Sequence, residues 1–156
     1  MGSVSDWGHM KSLWVAVLLS VSFGAQAEVI DVGNEELQAL MARGVKVIDL
    51  RTAGEWQQTG VVAGSQMITL FDERGRVNPD WTREVNALAA EDQPVALICR
   101  TGNRTRAAAK MLSDASPSRK VYNVRSGITA WMRASLPVVP FHQNVKTAGV
   151  RCGPVC

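Results

Sequence analysis

The chain has 156 residues, 46% of them hydrophobic, and a formal net charge of +3, enough for one compact domain with a core of its own. Its basic residues form no lysine-rich run and do not interleave with aromatics, so nucleic-acid binding is not indicated. With His9 assigned to a leader, His142 is the one histidine left; this excludes a multi-histidine metal site and makes any Cys–His hydrolase depend on that ring.

Residues 1–9 lie upstream of a better start at Met10 and read as an expression remnant. Residues 10–27 read as a signal peptide: Lys11 supplies the basic start, Leu13 to Phe23 the apolar core, and Ala25-Gln26-Ala27 the small residues before cleavage. A short buried helix is the alternative, since the apolar run falls short of the roughly 18–20 residues that span a bilayer. No cysteine follows it to take a lipid. The expectation is an exported, periplasmic protein whose mature chain begins near Glu28 and keeps the charge of +3, because Asp6 and Lys11 leave together.

Val29 to Val32 is a short apolar patch. Asn34 is the expected N-cap of a helix over Glu35 to Arg43, with Leu37, Leu40 and Met41 on one face and Gly44 ending it. Val45 to Leu50 reads as a buried strand running into Asp49-Leu50-Arg51, followed by a brief helix around Gly54 to Gln58. Val61-Val62 and Met67 to Leu70 bracket a turn into a third strand, and Phe71 to Asp80 form a polar loop. Asp80 is the expected cap of a helix over Trp81 to Ala90, with Trp81, Val85, Leu88 and Ala89 inward. Val95 to Ile98 forms a fourth strand that runs straight into Cys99. A loop over Arg100 to Arg104 leads to an alanine-rich helix from Thr105 to about Ser113. Val121 to Val124 is the fifth strand and Ile128 to Arg133 the last helix, after which Pro137, Pro140 and Pro154 mark an irregular tail. The alternation predicts an α/β sandwich on a mostly parallel sheet, with residues 28–139 as its one domain and 140–156 as the tail.

In an open parallel sheet, ligands bind beyond the carboxyl ends of the strands, where Cys99 sits. Gly102 and Asn103 can take unusual backbone angles, which would turn amide N–H groups inward as an anion nest. The next helix points its positive N-terminus at the same place, and Arg100, Arg104 and Arg106 concentrate charge within seven residues. Each of these favours the Cys99 thiolate over the thiol and suits a small anion. The bland alternative is a buried strand-end cysteine beside solvated arginines. Cys152 and Cys156 lie in the tail, separated by three residues; in an exported chain they invite a disulfide, while a sulfur relay or an interchain link are the other readings.

The run Cys99-Arg100-Thr101-Gly102-Asn103-Arg104-Thr105 resembles the active-site loop of the rhodanese family, with cysteine first and the loop-closing arginine sixth. Val47 to Arg51 with Glu55-Trp56 is similar to that family's early Asp-x-Arg signature, and Gly60 to Ile68 to its Gly-His-Ile-Pro-Gly-Ala segment. Val121 to Trp131 with Leu136-Pro137-Val138 is similar to its C-terminal signature, so the resemblance runs from about Val29 to Val138. The family's histidine and proline are Val61 and Ala63 here, positions expected to shape a turn, and its Gly-Gly before the last helix is Arg125-Ser126-Gly127, with Arg125 expected to be solvated. Asp49 and Arg51 are expected as a structural ion pair and Trp131 as core.

The resemblance implies a three-layer sandwich on a five-stranded, mostly parallel sheet, and a thiosulfate sulfurtransferase needing no metal or organic cofactor. Cys99 would take the outer sulfur of a thiosulfate-like donor as a persulfide and pass it to a thiol or cyanide, with Arg100 to Thr105 binding the anion. A phosphatase of the cell-cycle dual-specificity type shares this fold but needs one more residue between cysteine and arginine, where this chain has four. A binding module without activity would typically lack the cysteine.

Overall fold

The computed structural model describes residues 28–141. The expected signal peptide, His142, Cys152 and Cys156 lie outside the described residues. Among the described residues, seven strands and five helices follow in chain order: β1 (Val29–Val32), α1 (Asn34–Ala42), β2 (Lys46–Asp49), α2 (Ala53–Thr59), β3 (Val61–Val62), β4 (Gln66–Met67), α3 (Trp81–Leu88), β5 (Val95–Ile98), α4 (Asn103–Ala115), β6 (Val121–Val124), α5 (Gly127–Arg133) and β7 (Val138–Val139).

Five strands form one parallel sheet in the order β1-β6-β5-β2-β4, the α/β sandwich expected from the alternation. β3 and β7 make a separate antiparallel pair, Val61 opposite Val139. The sheet's side chains alternate between two cores, as the period of two in a strand requires. Ile48, Leu50, Val95 and Leu97 face Trp81, Val85, Ala108 and Leu112 of α3 and α4. Val47, Ala96, Ile98 and Val124 face Leu37 and Leu40 of α1 and Ile128 and Trp131 of α5. Cys99 continues the parity of Val95 and Leu97, so its sulfur lies on the α4 side. Among the described residues, no helix is long and apolar enough to cross a membrane.

Several boundaries differ from the sequence expectation for local reasons. Asn34 is the first residue of α1 rather than its cap; its side chain donates to Ala130 O (3.1 Å), and Glu36 accepts from the Gly33 N–H instead. Asp80 occupies the N-cap position of α3, but its carboxylate pairs with Arg83 and does not cap. α3 stops at Leu88, and the buried Arg119 donates to the carbonyls of Ala89, Ala90 and Glu91 beyond it. The chain after Pro137 is not wholly irregular, because Val138-Val139 gains backbone pairing from β3. Val61 and Val62 are buried in that pairing, and the turn lies at Ala63-Gly64, closed by Ser65 N–H and Oγ donating to Val62 O.

Candidate active site

Cys99 is 1% exposed, at the carboxyl end of the central strand β5. Three residues carry the chain from it into α4, because Gly102 takes a left-handed conformation (φ +95°) and the helix begins at once with Asn103. The loop is therefore shorter than the sequence suggested, and Asn103 is helical rather than part of an irregular nest. The turn returns the Gly102 N–H to the sulfur, with N···Sγ at 3.1 Å. Thr105, buried in the first turn of α4, lies 3.9 Å from Sγ by its Oγ1 and donates to Gly102 O (2.7 Å). Among the described residues the amides of Asn103, Arg104 and Thr105 donate to no protein acceptor, the usual state of a helix start and a favourable setting for negative charge.

The tightness comes from the chain after β6. A Cβ on Gly102 would stand 1.9 Å from Arg125 O, and one on Gly127 2.4 Å from Cys99 O and 2.5 Å from Arg100 O. From the start of α5, Ile128 N–H donates to Cys99 O (2.8 Å), while Thr129 N–H (3.1 Å) and Oγ1 (2.8 Å) both donate to Arg100 O. Arg125 is exposed, as expected, and its backbone is what crowds Gly102.

Arg104 points elsewhere than anticipated. Its guanidinium grips Glu55 of α2 in a bidentate pair, Nη1–Oε2 2.7 Å and Nη2–Oε1 2.5 Å. Glu55 closes the N-terminal capping box of α2 as well, accepting from Thr52 N–H (3.0 Å) while Thr52 Oγ1 accepts from Glu55 N–H (3.4 Å). Burial works against an ionised Glu55, yet the hydrogen bonds from Arg104 and Thr52 and the charges of Arg104 and Arg51 hold it down at about 2. The Glu55 hydrogen bond in turn raises Arg104 above the ordinary arginine value against the opposing effect of burial, with the charges of Glu55, Cys99 and Asp49 adding to the rise.

The Asp49–Arg51 pair expected from the sequence is present and buried, at 2.7 Å. Arg51 also donates to Thr59 Oγ1 (2.6 Å) and Gly60 O (2.8 Å), so it ties the end of β2 to the end of α2. Of the predicted loop residues, Cys99, Gly102 and Thr105 converge, Arg104 is diverted to Glu55, and Arg100, Thr101 and Asn103 are exposed at the rim. Arg106 is exposed on α4. Arg100 also borders a cleft of about 440 Å³ that runs between α2 and α5 beside the loop. Sequence reasoning missed the partnership of Glu55 with Arg104 and the donors of α5. The Thr52-x-x-Glu55 capping pattern was the available signal for Glu55.

The rhodanese-like domain profile matches residues 33–134. The rhodanese-like domain-containing protein 17 of Arabidopsis thaliana is 27% identical over 127 residues, 78% of this chain and 80% of that protein. Thiosulfate sulfurtransferase 18 of the same plant is 28% identical over 125 residues, 76% and 90% of the two chains. Among solved structures, Rv0390 from M. tuberculosis has the same fold, with a TM-score of 0.62 at 21% identity over 74% of this chain and 100% of that one.

Proposed function

The chain belongs to the rhodanese-like domain family, and we propose that within it this protein is a sulfurtransferase, moving sulfane sulfur from a thiosulfate-like donor to a thiophilic acceptor through a persulfide on Cys99. The observation that carries this reading is the Gly102 N–H directed at Cys99 Sγ across 3.1 Å, at the head of α4. A hydrogen-bond donor and a helix start stabilise a thiolate, and the thiolate is the nucleophile. Cys99 attacks the outer sulfur of thiosulfate, the S–S bond of the donor breaks, and sulfite leaves with the bonding pair. The persulfide carries its transferable atom about 2 Å beyond Sγ. Gly102 and the first amides of α4 stabilise its charge, while Arg100, Thr101 and Asn103 at the rim meet the donor's oxygens. The name of the A. thaliana relative supports thiosulfate as the first donor to try.

A phosphatase would need an arginine free to wrap the phosphate, whereas Arg104 is committed to Glu55. A module without chemistry would have no use for a sulfur held under directed N–H donation. The decisive experiment runs thiosulfate–cyanide turnover beside aryl-phosphate hydrolysis, with intact mass after thiosulfate treatment. One added sulfur on Cys99 and turnover in the first assay alone are expected; aryl-phosphate turnover without the adduct would overturn the reading. The signal-peptide pattern of residues 10–27 supports an exported enzyme, which fractionation of a host carrying the full chain would test.

A further inference from the structure

The cleft between α2 and α5 has a charge balance of its own. Three arginines and one carboxylate stand in its wall: Arg51, Arg100, Arg133 and Glu55. Asp49 neutralises Arg51 at 2.7 Å and Arg104 neutralises Glu55. Arg100 and Arg133 have no acidic partner among the described residues, so the cleft carries two uncompensated positive charges. Ile128 and the 42% exposed Met132 supply apolar surface to the same wall, and the Gln58 side chain adds an amide. At about 440 Å³ the cleft lies within the roughly 300–1,000 Å³ range of sites for organic ligands and is far larger than cyanide or thiosulfate requires.

The cleft is joined to the reacting sulfur through the loop. Arg100 follows Cys99 in the chain, and Ile128 and Thr129, both in the wall, hold the Cys99 and Arg100 carbonyls. Cys99 itself is not in the wall, because its sulfur lies beneath the loop.

We infer that this cleft selects the sulfur acceptor, and that the acceptor is an organic thiol carrying one or more carboxylates, held by Arg100 and Arg133 with its aliphatic part against Met132. The inference rests on the sulfurtransferase reading and names its second substrate. In the step, the acceptor thiolate forms a bond to the outer sulfur of the Cys99 persulfide while the bond from that sulfur to Sγ breaks. Sγ departs with the electron pair as thiolate, reduced, and the acceptor leaves as an organic persulfide, oxidised by the sulfur it gained.

The test loads the full-length protein with thiosulfate, verifies the adduct by mass, removes sulfite, and mixes it rapidly with mercaptosuccinate, glutathione, 2-mercaptoethanol or cysteamine. Rates are corrected to equal thiolate concentration. The two carboxylate-bearing thiols are expected to react about five- to tenfold faster than the neutral one, with cysteamine slowest and the spread shrinking at high salt. Arg133→Glu should lower the ratio of mercaptosuccinate to mercaptoethanol rates about tenfold, and Arg133→Gln by a smaller factor in the same direction. Circular dichroism checks that α5 persists in both. If the adduct forms but the thiols react alike, or the ratio is untouched in both variants, the acceptor inference falls alone. If no adduct forms, it falls together with the sulfurtransferase reading.

Discussion

Gly102→Ala isolates the contribution of the short loop. The added Cβ would stand 1.9 Å from Arg125 O, where real Cβ contacts stay beyond 3.0 Å, so the loop and the β6–α5 turn must part by more than an ångström. A displacement of that size breaks the 3.1 Å contact from Gly102 N–H to Sγ. A hydrogen bond to a charged acceptor contributes about 1.5–3 kcal/mol. Lost from the reacting thiolate, it should slow turnover about 10- to 150-fold. The left-handed φ of +95° adds a stability cost of about 1–2 kcal/mol for a residue with a Cβ. Gly64→Ala separates the two effects: its φ is +79° with nothing within 4 Å of the new Cβ, so it should lose stability alone. The measurements are thiosulfate–cyanide turnover, persulfide yield by mass, and thermal unfolding of all three proteins. Wild-type turnover and persulfide yield in Gly102→Ala would refute the role given to that amide.

Cys99→Ser should form no persulfide and show no sulfur transfer by mass and turnover; full activity would remove the mechanism. Glu55→Gln should expose the acid dependence of the Arg104 pair. Glu55 is depressed from 4.5 to about 2, so the wild-type pair contributes fully above about pH 4.5 and is lost as pH falls through 2. Because the pair is about a quarter exposed, the expected loss is about 1 kcal/mol, read as an unfolding difference between wild type and Glu55→Gln that narrows across that window. Arg104→Ala should lower Tm by removing the bidentate pair with Glu55, and its stability effect should be non-additive with Glu55→Gln in a double-mutant cycle. Asp49→Ala leaves the Arg51 guanidinium buried without its carboxylate and should cost about 3–5 kcal/mol by denaturant unfolding.

Cys99 was legible because its evidence is local: an apolar strand before it, a glycine and arginines after it, and alternation that sets the sheet. The parity of Val95, Leu97 and Cys99 even fixes the face on which the sulfur lies. Arg104 was legible as a residue of the site but not in its contacts, because Glu55 lies 49 positions away and no local periodicity joins them. Strand β7 was hidden for a related reason: two valines between prolines carry almost no strand signal, and their pairing depends on Val61-Val62 being held beside them. Gly102 was recognised as permissive, yet its need to be glycine comes from Arg125, a carbonyl on another element. Contacts between distant segments set what local pattern leaves open.

The anchoring of the loop by α5 bears on when the surroundings of Cys99 are complete. A fragment ending before Gly127 would contain every residue from Cys99 to Thr105, but neither of the residues that hold the Cys99 and Arg100 carbonyls. The cradle around the sulfur is thus completed by some of the last residues of the domain to leave the ribosome. A fragment without α5 carries the cysteine without the two residues that fix its loop, and the finished fold supplies them. Closure of the loop beside the sulfur thus waits on α5, the last helix of the described residues.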